Sequence, residues 1–493
     1  MPASACALDF EIGGFPAFPY PLASRTRPCI LEPDCGEKVH CGPGEMFFIA
    51  APGLWPGNDL TIDTMRYAPI DPKLFIHNRA RLAKLLPPQS LAVLHANDIL
   101  PTNADGSLRL RQNSDLFYLT GVDQEESILL LYPDADDEKF CEILFLRETN
   151  DLIATWEGRK LSKAEARLAT GIQRVEWLSE FRPIFHRLMC ECEHVWLNTN
   201  EHKRAVIEVE TRDARFIRET QARYPLHDYQ RLARLMHPLR AVKSDEEIKL
   251  IRRACDLTSA GFQRVARFVK PGVTETEVEA EFAHEFIRRG GDFAYWPIIA
   301  GGANACVLHY VANDQVCRKG ELLLLDVAAS YANYNSDLTR TLPVNGKFTR
   351  RQKQVYNAVL RILRASIAGL TAGRLLKDWQ KEAESLTEAE LLGLGLLTPK
   401  QIKNQDPDRP ALKKYFMHGV GHPLGLDVHD VGPTTQPIQP GWVMTVEPGI
   451  YIREEGLAVR LENDVLITET GPVDLMAHIP IEASEIEALM ARK

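Results

Sequence analysis

Histidine and aspartate are concentrated in one short stretch, HGVGHPLGLDVHDVG, which occupies residues 418–432 and holds three histidines and two aspartates. A cluster of this kind is typical of a metal site, of a proton-transfer site or of a polar loop. The stretch alone does not decide among the three. The decision depends on which residues elsewhere in the chain could join it.

Carboxylates stand at the ends of several strongly apolar segments. Asp326 ends the run ELLLLD, and Asp337 follows eleven residues later in NSDLTRT. The intervening AASYANYN has the length of a hairpin, so the two carboxylates are predicted to share one face of adjacent strands. Taken alone, the pair also fits two structural aspartates. Glu447 in WVMTVEPG and Glu462 in AVRLENDV follow the same pattern on later segments.

Four such carboxylates cannot neutralise one another. If they cluster at a low effective dielectric they repel by several kcal/mol, so a cluster requires cations. His422 from the histidine-rich stretch raises the set to five candidate ligands, most of them oxygen. That composition predicts one or two divalent ions with bridging carboxylates, and it favours Mn²⁺ over structural zinc. Arg460, two residues before Glu462, is predicted to share its face of the strand.

These motifs resemble those of a known family. The segments LLLLDVAASYANYNSDLTRT, HGVGHPLGLDVHD, TVEPGIY and VRLEND are similar to those of the aminopeptidase P and prolidase family of dinuclear pita-bread metallopeptidases. In the first half, RQNSDLFYLTGVDQEESILLL (111–131) resembles the aminopeptidase P N-terminal domain. The resemblance covers about residues 66–485 and implies an α/β N-terminal domain followed by an α+β pita-bread catalytic domain.

The resemblance implies a role for each motif residue. Two divalent metal ions, with Mn²⁺ favoured, are expected to be held by five ligands: Asp326, Asp337, His422, Glu447 and Glu462. Glu447 is also expected to transfer a proton, and Arg460 to orient Glu462. His309 and His429 are expected to contact the scissile carbonyl group or to hold the substrate. Arg159, in TWEGRKL, is expected to reach towards the substrate.

The implied activity is release of the N-terminal residue from peptides with proline in second position, through a hydroxide that bridges the two metals. A prolidase limited to Xaa-Pro dipeptides is the nearest alternative, and RQNSDLFYLTG favours the aminopeptidase. A non-catalytic binding protein of the same fold is a third hypothesis, but such proteins normally have replaced ligands, and all five are intact here. Pro423 and Asn463 depart from residues common in close aminopeptidase P relatives, which leaves fine specificity open.

For several other residues the sequence gives weaker evidence of a functional role. His418 lies four residues before His422 and either supports it or is structural. Cys306 and Cys317 flank His309 and are predicted to be buried, unreactive thiols. Three aromatic residues either line a pocket for proline or fill the core: Trp296, Tyr310 and Trp442.

Composition narrows the class of protein. The chain has 493 residues, of which 45% are hydrophobic and 25% charged, and its formal net charge is −9. An acidic balance argues against nucleic acid or an anionic membrane as a partner. No apolar run approaches the roughly 18 residues that span a bilayer, and no signal peptide is visible, so a cytoplasmic location is expected. The family resemblance implies a homo-oligomer, either a dimer or a tetramer.

Three regions are predicted along the chain: an extension (1–64), an N-terminal domain (65–235) and a catalytic domain (236–493). The extension contains nine prolines and is predicted to be irregular or disordered. Four of its residues could form a zinc or disulfide cluster, although their spacing is unusual: Cys6, Cys29, Cys35 and Cys41. Met65 is hypothesised to be the true initiator, and peptides from residues 1–64 in the native protein would contradict that.

Local patterns predict the main elements of the two domains. A helix is predicted in LFIHNRARLAKLL, and strands are predicted in SLAVLHAN, SILLLYP and EILFLRE. A helical connection is predicted within residues 224–244, with the helix ending at Pro238. Capping boxes at 244–247 and 274–277 predict two helices, the first ending near Lys270 and the second at Gly290-Gly291. The remaining strands are predicted in ELLLLDVAA, YNSDLTRTLPV, WVMTVEPGIYI and LAVRLENDVLIT.

Overall fold

The computed structural model of the protein describes residues 66–491, which belong to one compact unit. The predictions made for residues 1–64, including the cysteine cluster and the initiator Met65, lie outside the described residues.

The first half of the described chain builds one mixed sheet with helices on both faces. Its strands are ordered β4-β3-β2-β1-β5-β6, with β1 antiparallel to β2 and parallel to β5. Alternate residues of β1 enter two different cores: Leu91 and Val93 pack with Phe181 and its neighbours, whereas Leu94 joins the core that continues into the second half. The elements are α1 Lys73–Ala83, β1 Ser90–His95, α2 Ser114–Thr120, β2 Ile128–Leu131, β3 Glu142–Leu146, α3 Asp151–Glu157, α4 Lys163–Thr170, β4 Arg174–Trp177, α5 Phe181–Met189, β5 His194–Leu197, α6 Arg212–Arg223, β6 Asp228–Arg231 and α7 Ala233–Ala241.

Helix α7 continues through Pro238, so the prediction that the connecting helix ends there was wrong. Proline removes a backbone N–H and crowds the preceding turn, which disfavours a helix interior. Arg240, two residues further on, is buried and forms ion pairs with Asp115, Asp427 and Asp430. These contacts hold the last turn of α7 in place and offset the lost hydrogen bond.

The second half is an α+β arrangement in which helices cover several small antiparallel sheets. Helix α8 packs against α9 and α13, and α10 packs against α11. The strand orders are β11-β10-β7, β12-β9-β8, β13-β16-β17 and β14-β15. The elements are α8 Asp245–Phe268, α9 Glu275–Arg288, β7 Asp292–Phe293, β8 Ile298–Gly301, β9 Leu322–Asp326, β10 Ala329–Tyr331, β11 Tyr334–Asn335, β12 Thr339–Pro343, α10 Arg350–Gly369, α11 Leu376–Gly393, α12 Pro399–Lys403, β13 Val443–Val446, β14 Gly449–Ile452, β15 Leu457–Arg460, β16 Asn463–Thr468, β17 Gly471–Asp474 and α13 Ala483–Ala491.

Both predicted capping boxes are confirmed. The Ser244 hydroxyl accepts a hydrogen bond from the Glu247 amide, and the Glu247 carboxylate accepts one from the Ser244 amide. Thr274 and Glu277 repeat this pattern at the start of α9. Each box satisfies backbone donors that the first helical turn leaves free.

The register of β9 and β12 brings the first two candidate ligands to one end of their sheet. Asp326 is the last residue of β9 and faces Thr339, the first residue of β12. The predicted hairpin between them is formed by β10 and β11. The segment YNSDLTRTLPV is not one strand as predicted, because the Asp337 amide donates to the Asp464 carboxylate instead of to a neighbouring strand.

No helix within residues 66–491 has the length and apolar character that crossing a bilayer requires.

Candidate metal centre and active site

The carboxylates of Asp326 and Asp337 meet at one tyrosine. The Tyr295 hydroxyl oxygen lies 2.6 Å from an oxygen of each carboxylate. A hydroxyl group has one proton to donate, so it satisfies one of the two oxygens at a time. The two carboxylates therefore meet at one hydroxyl group, although Asp337 precedes β12 and does not lie on that strand.

The buried guanidinium of Arg460, at the end of β15, contacts one of these two carboxylates. Arg460 donates to Asp326 Oδ2 at 2.5 Å, to the Tyr451 hydroxyl at 2.8 Å and to Thr339 Oγ1 at 3.1 Å. Thr339 in turn donates to Glu462 Oε2 at 2.7 Å. Arg460 thus holds Asp326 directly, and its hydrogen-bonded connection to Glu462 runs through Thr339.

His422 faces the carboxylates with one ring nitrogen. Its Nε2 lies 3.5 Å from Asp337 Oδ2 and 3.8 Å from Glu447 Oε1, and its Nδ1 lies 3.0 Å from the Pro423 carbonyl oxygen. Donation from Nδ1 to that carbonyl leaves the Nε2 lone pair directed at the carboxylates, as a metal ligand requires. One ligand atom from each of Asp337, His422 and Glu462 lies within 4.8 Å of the others.

Burial sets the protonation of this cluster. It raises the pKa of Asp326, although Arg460 opposes the shift, and it raises the pKa of Glu447 to about 7. The pKa of Glu462 is well above its ordinary value because of burial and the neighbouring carboxylates. Burial alone would lower the pKa of His422, but Asp337 and Glu447 outweigh it and the pKa is raised. Each shift reports negative charge crowded into a site with little water.

The cluster fits divalent metal ions. Glu462 Oε1 is buried and has no hydrogen-bond partner among residues 66–491. A buried carboxylate oxygen without a partner is costly unless a cation binds it. An oxygen-rich set with one imidazole suits divalent ions that accept carboxylate ligands.

His418 contacts the cluster from behind. Its Nε2 lies 2.8 Å from the Tyr451 hydroxyl, and its Nδ1 lies 2.7 Å from the Gly419 carbonyl oxygen and 3.8 Å from Glu447 Oε2. Burial, with a contribution from Arg460, lowers the pKa of His418 to about 3, so the ring is neutral near pH 7. The position fits the predicted supporting role.

The two histidines predicted to meet the substrate occupy different depths. His429 is half-buried, and its ring centre lies 4.3 Å from that of His422. Burial, together with His422 and Arg204, lowers the pKa of His429 to about 4, which leaves a neutral imidazole. His309 is exposed, and its proximity makes a small contribution to the lowered pKa of His418. His429 therefore borders the cluster, whereas His309 lies further out towards solvent.

Arg159 is not part of this group in the described chain. It forms an ion pair with Glu165 and lines a separate cavity with Arg109, Arg111 and Asp123. None of the five candidate metal ligands lines that cavity. The expected contact between Arg159 and the substrate stays a prediction.

The three aromatic residues that could line a pocket or fill the core differ in burial. Trp442 is buried in the core, and Tyr310 donates a hydrogen bond to Glu275. Trp296 follows Tyr295 in the sequence and is 82% exposed, which makes it the most exposed of the three. Cys306 and Cys317 are buried thiols whose pKa values burial raises, as predicted.

Sequence reasoning missed four residues that shape the site: Tyr295, Thr339, Tyr451 and Asp464. Thr339 lies two residues after Asp337, and that spacing could have indicated a shared face. Asp464 lies two residues after Glu462 and accepts the Asp337 amide. Tyr295 and Tyr451 carry no local pattern, because their contacts with the ligands come only from the folded chain.

Comparison with known proteins agrees with this geometry. Residues 249–469 match Metallopeptidase family M24, and residues 75–196 match the aminopeptidase P N-terminal domain. The Xaa-Pro aminopeptidase of Escherichia coli (strain K12) is 34% identical over 85% of this chain and 98% of its own length. Xaa-Pro aminopeptidase 3 of Homo sapiens is 33% identical over 82% of this chain and 81% of its own length.

Solved structures give the same result for the fold. Aminopeptidase P from E. coli with the inhibitor Pro-Leu superimposes with a TM-score of 0.76 at 33% identity, covering 86% of this chain and 99% of that one. A zinc-substituted form of that enzyme, in complex with product, has the same TM-score. The chain belongs to metallopeptidase family M24, with an aminopeptidase P N-terminal domain before a pita-bread catalytic domain. Both predicted folds are confirmed, and membership of this family implies divalent metal ions.

Proposed function

We propose that the chain is a metal-dependent aminopeptidase that releases the N-terminal residue from peptides with proline in second position. The observation that carries the proposal is the carboxylate cluster around His422, which includes a buried Glu462 Oε1 without a hydrogen-bond partner in the described residues. Curated relatives that are Xaa-Pro aminopeptidases match this chain over most of its length, which supports the substrate class.

The metal ligands in this proposal are Asp326, Asp337, His422, Glu447 and Glu462. Two divalent ions, when bound, would supply water that is deprotonated near neutral pH and would stabilise negative charge on the scissile carbonyl oxygen. Four carboxylates and one guanidinium sum to a charge of −3, which favours binding of two dications over one. Mn²⁺ is the proposed ion, because the set is rich in oxygen.

The side chains around the ligands divide the remaining work. Glu447, whose pKa burial raises to about 7, can accept a proton from water and return it to the departing nitrogen. The neutral His429 can donate a hydrogen bond to the scissile carbonyl oxygen, and the exposed His309 can hold the substrate at the entrance. Arg460 keeps Asp326 oriented towards the cluster. Arg159 is retained as a proposed substrate contact.

Proline in second position makes the first peptide bond a tertiary amide. That amide lacks an N–H, and the ring fixes φ near −65°. A peptidase that reads an extended backbone loses a hydrogen bond there, so cleavage depends on groups that act on the carbonyl oxygen and the free N-terminus. The cluster offers such groups.

We further propose a homo-oligomer, dimer or tetramer, in the cytoplasm. The oligomer follows from the family resemblance, and the acidic composition agrees with the proposed location. The proposed activity depends neither on the oligomeric state nor on the location.

Metal content and peptide hydrolysis, measured on one preparation, test the proposal. We expect about two Mn²⁺ per chain and hydrolysis of Xaa-Pro-Yaa peptides at the first bond, lost with EDTA and restored by Mn²⁺. Cleavage confined to Xaa-Pro dipeptides would favour a prolidase instead. A protein that binds no metal and hydrolyses no Xaa-Pro peptide would support the non-catalytic hypothesis.

A further inference from the structure

A loop of the N-terminal domain reaches His429. It connects β5, which ends at Leu197, to α6, which begins at Arg212. Arg204 in this loop has its Nη1 atom 3.1 Å from Nε2 and 3.2 Å from Nδ1 of His429. Such nearly equal distances show that the guanidinium lies over the imidazole ring, so the contact leaves its other N–H groups free for a ligand.

The position of Arg204 is defined by the loop backbone. The Arg204 amide donates to His202 Nδ1, the His202 amide donates to Asn200 Oδ1, and the Ala205 amide donates to the His202 carbonyl oxygen. These bonds close a tight local turn. The Arg204 side chain is exposed, and no carboxylate of residues 66–491 forms an ion pair with it.

His429 therefore separates two regions of opposite charge. On one side are His422 and the carboxylates of the metal cluster. On the other side is the guanidinium of Arg204. A short peptide has the complementary arrangement, because its α-amino group is positive and its terminal carboxylate is negative.

The C-terminal carboxylate of a tripeptide lies close to its first peptide bond. Two extended residues span at most about 7 Å, so the terminal carboxylate of Xaa-Pro-Yaa lies at most that far from the scissile carbonyl carbon. Arg204 touches the far side of the histidine that is proposed to contact that carbonyl group. A guanidinium also matches a carboxylate with two parallel hydrogen bonds.

We propose that Arg204 binds the C-terminal carboxylate of Xaa-Pro-Yaa tripeptides and so makes the enzyme selective for short, free-acid substrates. This inference rests on the proposed aminopeptidase function. It adds a specificity-determining residue from the N-terminal domain, in a loop that provides no metal ligand.

The test compares one tripeptide with its C-terminal amide. In the unmodified enzyme we expect kcat/KM to be about tenfold higher for the free acid, the size of one hydrogen bond to a charged group. Arg204→Gln should bring the acid-to-amide ratio close to one, and Arg204→Lys should retain part of it. Lys203→Gln is the matched control, since it removes a neighbouring charge with no recorded contact to His429, and it should keep the ratio.

A purely structural role for Arg204 would lower kcat/KM for both substrates equally and leave the ratio unchanged, which would overturn the inference. A ratio near one in the unmodified enzyme, or an equal loss in Lys203→Gln, would also overturn it. The proposed function fails separately, if neither the acid nor the amide is cleaved by the metal-loaded enzyme.

Discussion

At the scale of single residues, the three histidines of the opening stretch have different environments. His422 Nε2 faces Asp337 and Glu447, His429 borders His422 and Arg204, and His418 contacts Tyr451. These positions are consistent with one ligand, one substrate-facing group and one supporting group. Substitution of His422 and of His429 separates the first two roles.

His422→Ala is expected to reduce bound metal and activity together, because it removes the single nitrogen ligand of the cluster. His429→Ala is expected to keep the metal and to lower kcat by about 10²-fold or more, the usual loss when a donor to a developing oxyanion is removed. Metal analysis after dialysis and steady-state kinetics on an Xaa-Pro peptide measure both effects.

His77→Ala is a suitable control, since His77 is exposed on α1 and far along the chain from the site. It should keep both metal and turnover. Loss of metal from His429→Ala, or its retention in His422→Ala, would reverse the assignment.

The protonation of Glu447 predicts how pH affects the metal-free protein. Its pKa is raised to about 7 by burial, and those of Asp326 and Glu462 are raised too. In the unfolded state the pKa of a glutamate is about 4.3. A carboxyl group whose pKa is higher than this in the folded state contributes its full stabilisation of the fold below the unfolded-state pKa. This contribution is lost as pH rises through about 7.

We therefore expect Mn²⁺ to raise the melting temperature more at pH 8 than at pH 5.5. At the higher pH the ligands are deprotonated, and the metal relieves their mutual repulsion. Thermal unfolding with Mn²⁺ and with EDTA at both pH values measures this. In His422→Ala the increase should be small throughout, and a larger increase at pH 5.5 in the unmodified protein would contradict the prediction.

At the scale of elements, a buried ion cluster joins three parts of the chain. Arg240 of α7 binds Asp115 of α2 and both Asp427 and Asp430, which flank His429 in sequence; Lys243 also binds Asp430. The cluster therefore fixes the loop that carries His429 against the N-terminal domain. It explains why the loop is ordered without belonging to a helix or a strand.

Arg240→Ala is expected to destabilise the protein by about 3–5 kcal/mol, because it leaves the buried Asp115 carboxylate without its ion-pair partner and Asp430 with Lys243 alone. Activity should fall as well, since the loop around His429 loses its anchor. Urea unfolding and steady-state kinetics measure the two effects. Arg361→Ala removes an ion pair with Glu390 on the surface of α10 and should cost less than about 1 kcal/mol, without loss of activity.

The sequence predicts those elements whose signals are local. Ser244 and Thr274 begin helices because hydrogen bonds within four residues define a capping box, and Asp326 is noticeable because it ends an apolar strand. Pro238 misled the prediction, because the contacts that keep its helix intact come from distant aspartates. Arg204 could not be found, since its contact with His429 joins residues 225 positions apart.

At the scale of the whole molecule, helix α3 lies on the surface of the described chain. Helix α3 buries none of its residues, and Leu152 and Trp156 on it are 67% and 81% exposed. Large apolar side chains exposed in this way are typical of an interaction surface. The helix is consistent with the proposed homo-oligomer.

Sedimentation analysis is expected to show a dimer or a tetramer, and Trp156→Glu is expected to shift it towards smaller species, because a charge would enter an apolar contact. Leu226→Glu, at an exposed residue of the loop before β6, is the control and should leave the assembly unchanged. A single monomeric species in the unmodified protein would contradict the prediction.

The wide spacing of the ligands along the chain has a consequence for synthesis. A growing chain folds from its N-terminus, so the first sheet, α7 and Arg240 are complete before residue 430 exists. The loop around His429 then packs against Arg240 and α7, which have already folded. Glu462 is the last of the five candidate ligands to be synthesised. An unfinished chain holds an incomplete set of ligands, so hydrolytic activity begins only when synthesis is almost over.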